Sequence, residues 1–95
     1  MKITDLKDTV EMMQGADYKE RFKAEYYQLK IRWERLKAFC TKIEAVELER
    51  EHCEQGTLEM PKHDCPTELL REQLKVMGQY LHILEVRAVI EGIEL

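Results

Sequence analysis

Apolar residues fall at helical spacing in three stretches of the chain. Ile3, Leu6, Val10 and Met13 recur at steps of three and four, the face of one short helix. Thr4 is the expected N-cap with acidic Asp5 behind it, and Gly15 stands where that helix would end. From Phe22 the pattern becomes a heptad. Phe22, Tyr26, Leu29, Trp33, Leu36, Cys40 and Ile43 are separated by four and three residues in alternation, a seam suited to coiled-coil-like packing. Asp17 can cap its start, and neither Gly nor Pro occurs from Tyr18 to Gln55, so one long helix is predicted. Its acidic last turns, after Glu44, are weakly apolar and prone to fray.

Gly56 to Cys65 is the predicted loop. Pro66 suits the first position of a new helix, where no backbone donor is needed, and Glu68 agrees with the helix dipole. Leu70, Leu74, Met77, Leu81, Leu84 and Ala88 then repeat the four–three spacing, with Gly92 as the breaker. Two heptad helices joined by one loop fold back as an antiparallel hairpin. The expectation is an all-α protein with a single domain over 1–95. It comprises a short helix in 1–15, a long helix over 17–55, a loop at 56–65 and a second hairpin helix over 66–91.

The second hairpin helix carries more apolar residues than one partner can cover. Leu69, Val76, Tyr80, Ile83 and Ile90 lie beside its main seam, and a hairpin seam is only a narrow stripe. The N-terminal helix could cover part of this row. A second subunit is the expected cover for the rest, giving a symmetric homo-oligomer.

Composition narrows the function. The net charge is −4, which argues against a protein that coats DNA or RNA polymers, since those need a broad basic face. A small anionic ligand stays possible, because a few well-placed Arg or Lys residues suffice. No stretch approaches the ~18 uncharged apolar residues of a membrane span. MKITDLKDTVEMM has no unbroken apolar run of the secretory kind, so the three cysteines are expected to be reduced thiols in a cytoplasm.

Few residues suggest chemistry. His52, Cys53, His63 and Cys65 are zinc-type donors around the loop, but they lack the two-residue gap of zinc knuckles. They read better as solvated loop residues with a half-buried Cys65. There is no Gly-rich phosphate loop, HExxH or GxSxG motif, and no cofactor motif. Cys40 lies on the core seam, where a thiol is inert. A non-enzyme is expected. Basic residues are the sharper lead, although each also reads as ordinary helix-surface charge. If the hairpin closes with residue 54 near residue 66, Arg87 falls close to Trp33 and Arg35. An earlier end to the first hairpin helix brings it towards Glu25 instead.

Two longer patterns carry a resemblance. From Tyr18 the chain reads YKERFKAEYYQLKIRWERLKAF, and after the loop CPTELLREQLKVMGQYLHILEVRAVIEGIEL. ERFxxEYxxLxxRxxxLxxF followed by CPxxLLxxQLxxMxxYLxxLExRAxIEGI resembles a family of small phage and prophage proteins. It is similar to proteins of crAss-like phages and to the hairpin domain of the phage anti-CBASS and anti-Thoeris sponges. The likeness spans residues 18–43 and 65–95, while the acidic stretch around 45–55 looks like an insertion and the N-terminal helix has its own sequence.

The resemblance implies a hexamer of hairpins that sequesters cyclic di- or trinucleotide immune signals in the bacterial cytoplasm without degrading them. It also implies an aromatic residue near the hairpin's start and a basic one near the RLxxF stretch. On that basis Tyr18 is the candidate stacking residue, with Arg21, Arg35 and Arg87 as phosphate partners. Two other readings remain: a phage adaptor whose Leu69–Ile90 row grips a protein helix, and a small zinc module.

Overall fold

The computed structural model describes residues 3–95, so the first two positions of the predicted N-terminal helix lie outside the described residues. Every regular element among them is helical. A 3-10 turn at Leu6–Thr9 runs into α1, Val10–Met13; α2 spans Tyr18–His52 and α3 spans Thr67–Glu91. The molecule is a rod, 56 × 25 × 22 Å.

The N-cap of the first turn is Asp5 rather than Thr4. Its carboxylate accepts from the Leu6 N–H at 2.8 Å, and Asp8 reaches back to the Asp5 N–H at 3.0 Å, a capping box. Thr4 donates to Asp8 instead, because that carboxylate already faces the chain entering the turn. Asp17 caps α2 as expected, accepting from the Lys19 N–H at 3.0 Å. Pro66 sits one position earlier than expected, as the N-cap of α3 with extended backbone.

Phe22 and Tyr26 of α2 pack with Leu81, Leu84 and Ala88 of α3 in the main core, with Tyr27, Leu29 and Trp33 against it. Burying each large side chain fully is worth about 1.5–3 kcal/mol. Cys40, Ile43 and Val46 continue the buried stripe along α2. Tyr26 donates its hydroxyl to Glu85 at 3.2 Å. Burial, then the Glu85 charge beside it, pushes the Tyr26 phenol up to about 12. The α3 backbone ends at Gly92, which takes φ 68, a left-handed value that glycine adopts at little cost. Its N–H and that of Ile93 both turn back to the Ala88 carbonyl, which swings Ile93 into the core.

The N-terminal segment covers α2 and leaves the second row of α3 uncovered. A stripe of Ala24, Gln28, Ile31 and Arg35, at steps of four, three and four, receives it. Ala24 and Ile31 are buried there. Gln28 donates to the buried Thr9 hydroxyl at 2.9 Å, and Arg35 pairs with Asp5 at 2.8 Å. Because Asp5 accepts first from the Leu6 N–H and then from Arg35, its carboxyl is held below the ordinary carboxylate range.

The acidic turns after Glu44 remain helical as far as His52, three residues short of the expected end, with Cys53 extended. They hold the following loop. Glu49 accepts from the Leu58 N–H at 2.9 Å and from the Thr57 hydroxyl at 3.4 Å. His63 bonds the Pro61 carbonyl at 2.8 Å and meets Phe39 edge-on at 5.7 Å. The loop therefore lies back along α2 instead of turning tightly, and α3 starts lower than a tight hairpin would place it.

Candidate ligand-binding site

Displacement of α3 decides which residues meet. Gly78, not Arg87, lies across Trp33; a Cβ at Gly78 would sit 3.3 Å from the indole nitrogen, so the missing side chain lets the ring lie over α3. Tyr80 donates its hydroxyl to Glu25, the residue expected near Arg87 on an early helix end. Arg87 lies against Phe22, its guanidinium carbon 5.0 Å from the ring centre. That is 11 residues of α2 away from Trp33, or about three helical turns.

At this end of the rod Tyr18 and Arg87 come together. Arg87 donates to the Tyr18 hydroxyl at 2.8 Å, and the hydroxyl donates to Glu91 at 2.8 Å. Glu91 also accepts from Arg87 Nε at 3.3 Å across one turn of α3. The Tyr18 ring tilts over Phe22 with centres 6.2 Å apart. Tyr18 is raised above the ordinary tyrosine value, chiefly by its bond to the Glu91 carboxylate. Burial works against the Arg87 charge, but Tyr18 and Glu91 outweigh it and raise the guanidinium. Tyr18, Arg87 and Glu91 are all exposed. A phosphate arriving here would take the place now held by the Glu91 carboxylate.

Arg21 is about one helical turn from Tyr18 but engaged by the backbone, and Arg35 lies elsewhere. Arg21 donates to the Gly15 carbonyl at 2.9 Å, closing the turn before α2. Arg35 is 17 positions along α2 from Tyr18, about 25 Å of helix, and is held by Asp5 on the face that carries the N-terminal segment. The zinc-type donors do not converge. His63 is engaged by Pro61 and Thr67, Cys65 is exposed rather than half-buried, and no metal-binding group of three such side chains occurs among the described residues. No helix among these residues is long and apolar enough to cross a membrane.

Two features escaped sequence reasoning: that Gln73 and Arg87 belong to the expected second row of α3, and a Tyr27–lysine cluster on α2. Leu69, Gln73, Val76, Tyr80, Ile83, Arg87 and Ile90 form a second heptad seam on α3, and every one of them is exposed. Arg87 thus belongs to the uncovered row rather than flanking it. Its signal was the unbroken four–three spacing once polar positions are admitted. Tyr27 with Lys23 and Lys30, at steps of four and three on α2, lines two adjoining cavities of about 520 and 280 Å³ beneath Ile3. Lys23 is also 3.6 Å from Glu20.

Fold and site together define an all-helical hairpin protein in which exposed Tyr18 of α2 contacts Arg87 of an uncovered heptad seam on α3. A family model, Sequestin, matches residues 16–60 and 61–90, most of the chain. The protein belongs to the Sequestin family. No curated protein and no solved structure matches it.

Proposed function

We propose that this protein is a phage anti-defence sponge. It binds cyclic di- or trinucleotide second messengers between subunits of a homo-oligomer and withholds them, unaltered, from host effectors in the bacterial cytoplasm. Membership of a family named for sequestration supports the broad reading. The observation that carries the finer one is the Tyr18–Arg87 contact at the end of an uncovered apolar seam.

A cyclic dinucleotide is a near-two-fold molecule with two phosphates and two flat bases. A two-fold subunit contact supplies each side chain twice, so one tyrosine and one arginine serve both halves. Arg87 offers forked donors to phosphate, and the Tyr18 ring offers a face for a base. Closing the second α3 seam around them removes water and strengthens both contacts. Withholding a messenger requires tight binding and no bond breaking.

Native mass spectrometry of the protein with a mixed panel of cyclic di- and trinucleotides tests the proposal. The expected result is a symmetric oligomer, a hexamer on the family resemblance, that takes up whole numbers of unaltered ligand. Arg87→Gln should weaken uptake roughly tenfold or more, since a charge-assisted phosphate contact is lost. An oligomer that stays empty across the panel would instead favour the adaptor reading, in which the α3 seam grips a protein helix.

A further inference from the structure

We infer that the other end of the rod carries a separate site for an organic diphosphate, of the nucleoside diphosphate kind. It stands independently of the sponge reading. Phe39, Lys42, Val46 and Arg50 fall on one stripe of α2, at steps of three, four and four. The loop lies beside that stripe and the two border an open hollow of about 590 Å³, within the size range of small-ligand sites. Lys42, Arg50 and Lys62 all line it. None of the three forms an ion pair or hydrogen bond with a described residue, and Glu59 is the single carboxylate in the lining. Three cations against one carboxylate leave this lining net positive in a chain whose net charge is −4.

The wall is built rather than incidental. Glu49 ties the Leu58 and Thr57 end of the loop to α2, and His63 ties the Pro61 end while packing on Phe39. The segment that presents Lys62 is therefore held in place before any ligand arrives. Glu49 is hydrogen-bonded to those loop donors and does not line the hollow, whose three cations face the single carboxylate of Glu59.

The lining selects the ligand class. A diphosphate carries about as much negative charge as the three side chains carry positive; Arg50 can take two oxygens through its fork, and the lysines act as point charges. Leu58, Met60 and Pro61 supply an apolar wall on which a flat base can lie. A smaller hollow of about 210 Å³ shares Lys42, Leu58 and Glu59 and extends this wall to Ala45 and Val46. Tyr18 lies 24 residues of α2 from Lys42, about 36 Å along the helix, so the two sites cannot share one small ligand.

Isothermal titration of the full chain with ADP at low salt tests the inference, with pyrophosphate and adenosine as separate arms. ADP should bind at one per chain, pyrophosphate more weakly and adenosine not measurably. Lys42→Gln with Lys62→Gln should weaken ADP at least tenfold, and Arg50→Gln alone should weaken it several-fold. These side chains are exposed, so circular dichroism should stay unchanged in both variants. Absence of ADP binding at low salt would overturn the site, as would an unchanged affinity in the double variant. Pyrophosphate binding as tightly as ADP would overturn the role of the apolar wall. If Arg87→Gln abolished ADP binding while the double variant kept it, the nucleotide would belong to the opposite end of the rod and the inference would fail.

Discussion

Ile83→Asp separates a working α3 seam from an ordinary helix surface. In the single chain Ile83 is 56% exposed, at the middle of the uncovered row. Full burial of an isoleucine side chain is worth about 1.5–3 kcal/mol, so roughly 1–1.5 kcal/mol remains to be gained when a second copy covers it. A two-fold contact counts that twice, about 2–3 kcal/mol, which corresponds to a loss of affinity of roughly 30–150-fold. Two aspartates brought face to face add a desolvation and repulsion cost on top. The isolated hairpin should barely notice, because an exposed substitution usually changes stability by less than ~0.5 kcal/mol. Sedimentation velocity over a concentration series, with helicity measured in parallel, reads both effects. The expected outcome is a helical variant that dissociates at concentrations where the wild type stays assembled. A wild-type monomer throughout the series, or a variant of unchanged mass, would refute the reasoning and leave the row as surface.

Two further outcomes follow from the core. Gly92→Ala should destabilise the chain by about 1 kcal/mol, because alanine must take φ 68 and no neighbour within 4 Å compensates; urea melts that show no loss would mean the helix end can rearrange. Tyr26 has a folded value of about 12 against 10.0 ordinarily, so its neutral form is the one the fold favours. Its contribution is intact below pH ~10 and is lost as pH rises towards about 12, roughly 3 kcal/mol at the limit. Melts over that range should show the decline in wild type and a shallower one in Tyr26→Phe.

The helices and the choice of core residues were legible in the sequence because period alone encodes them. Phe22, Tyr26, Leu81, Leu84 and Ala88 were all placed on their seams by spacing, and all are buried. The register between the helices was not legible. Sliding one heptad seam along another by seam steps keeps apolar against apolar, so spacing alone leaves open whether Arg87 lies near Trp33 or some turns earlier on α2. What fixes the register is aperiodic: the Glu49 and His63 ties that fold the loop along α2, and the missing side chain at Gly78 under Trp33. The seat of the N-terminal segment was hidden for a different reason. Its stripe on α2 includes Gln28 and Arg35, whose polar ends are satisfied by Thr9 and Asp5, and a search for apolar spacing passes over both.

The polar members of the α3 seam bear on what should cover it. Gln73, Tyr80 and Arg87 recur at seven-residue intervals within the row, and the last two already touch a carboxylate, Glu25 and Glu91 respectively. An apolar partner helix laid on this row would bury those groups without offering new partners, and buried charge that is poorly paired is costly. A ligand bearing phosphates makes a different exchange. Arg87 would trade the Glu91 carboxylate for a phosphate oxygen and stay paired, while Ile83 and Ile90 on either side close against a second copy. The same seam then has a use for both kinds of residue, which is why the sponge reading is favoured over the adaptor.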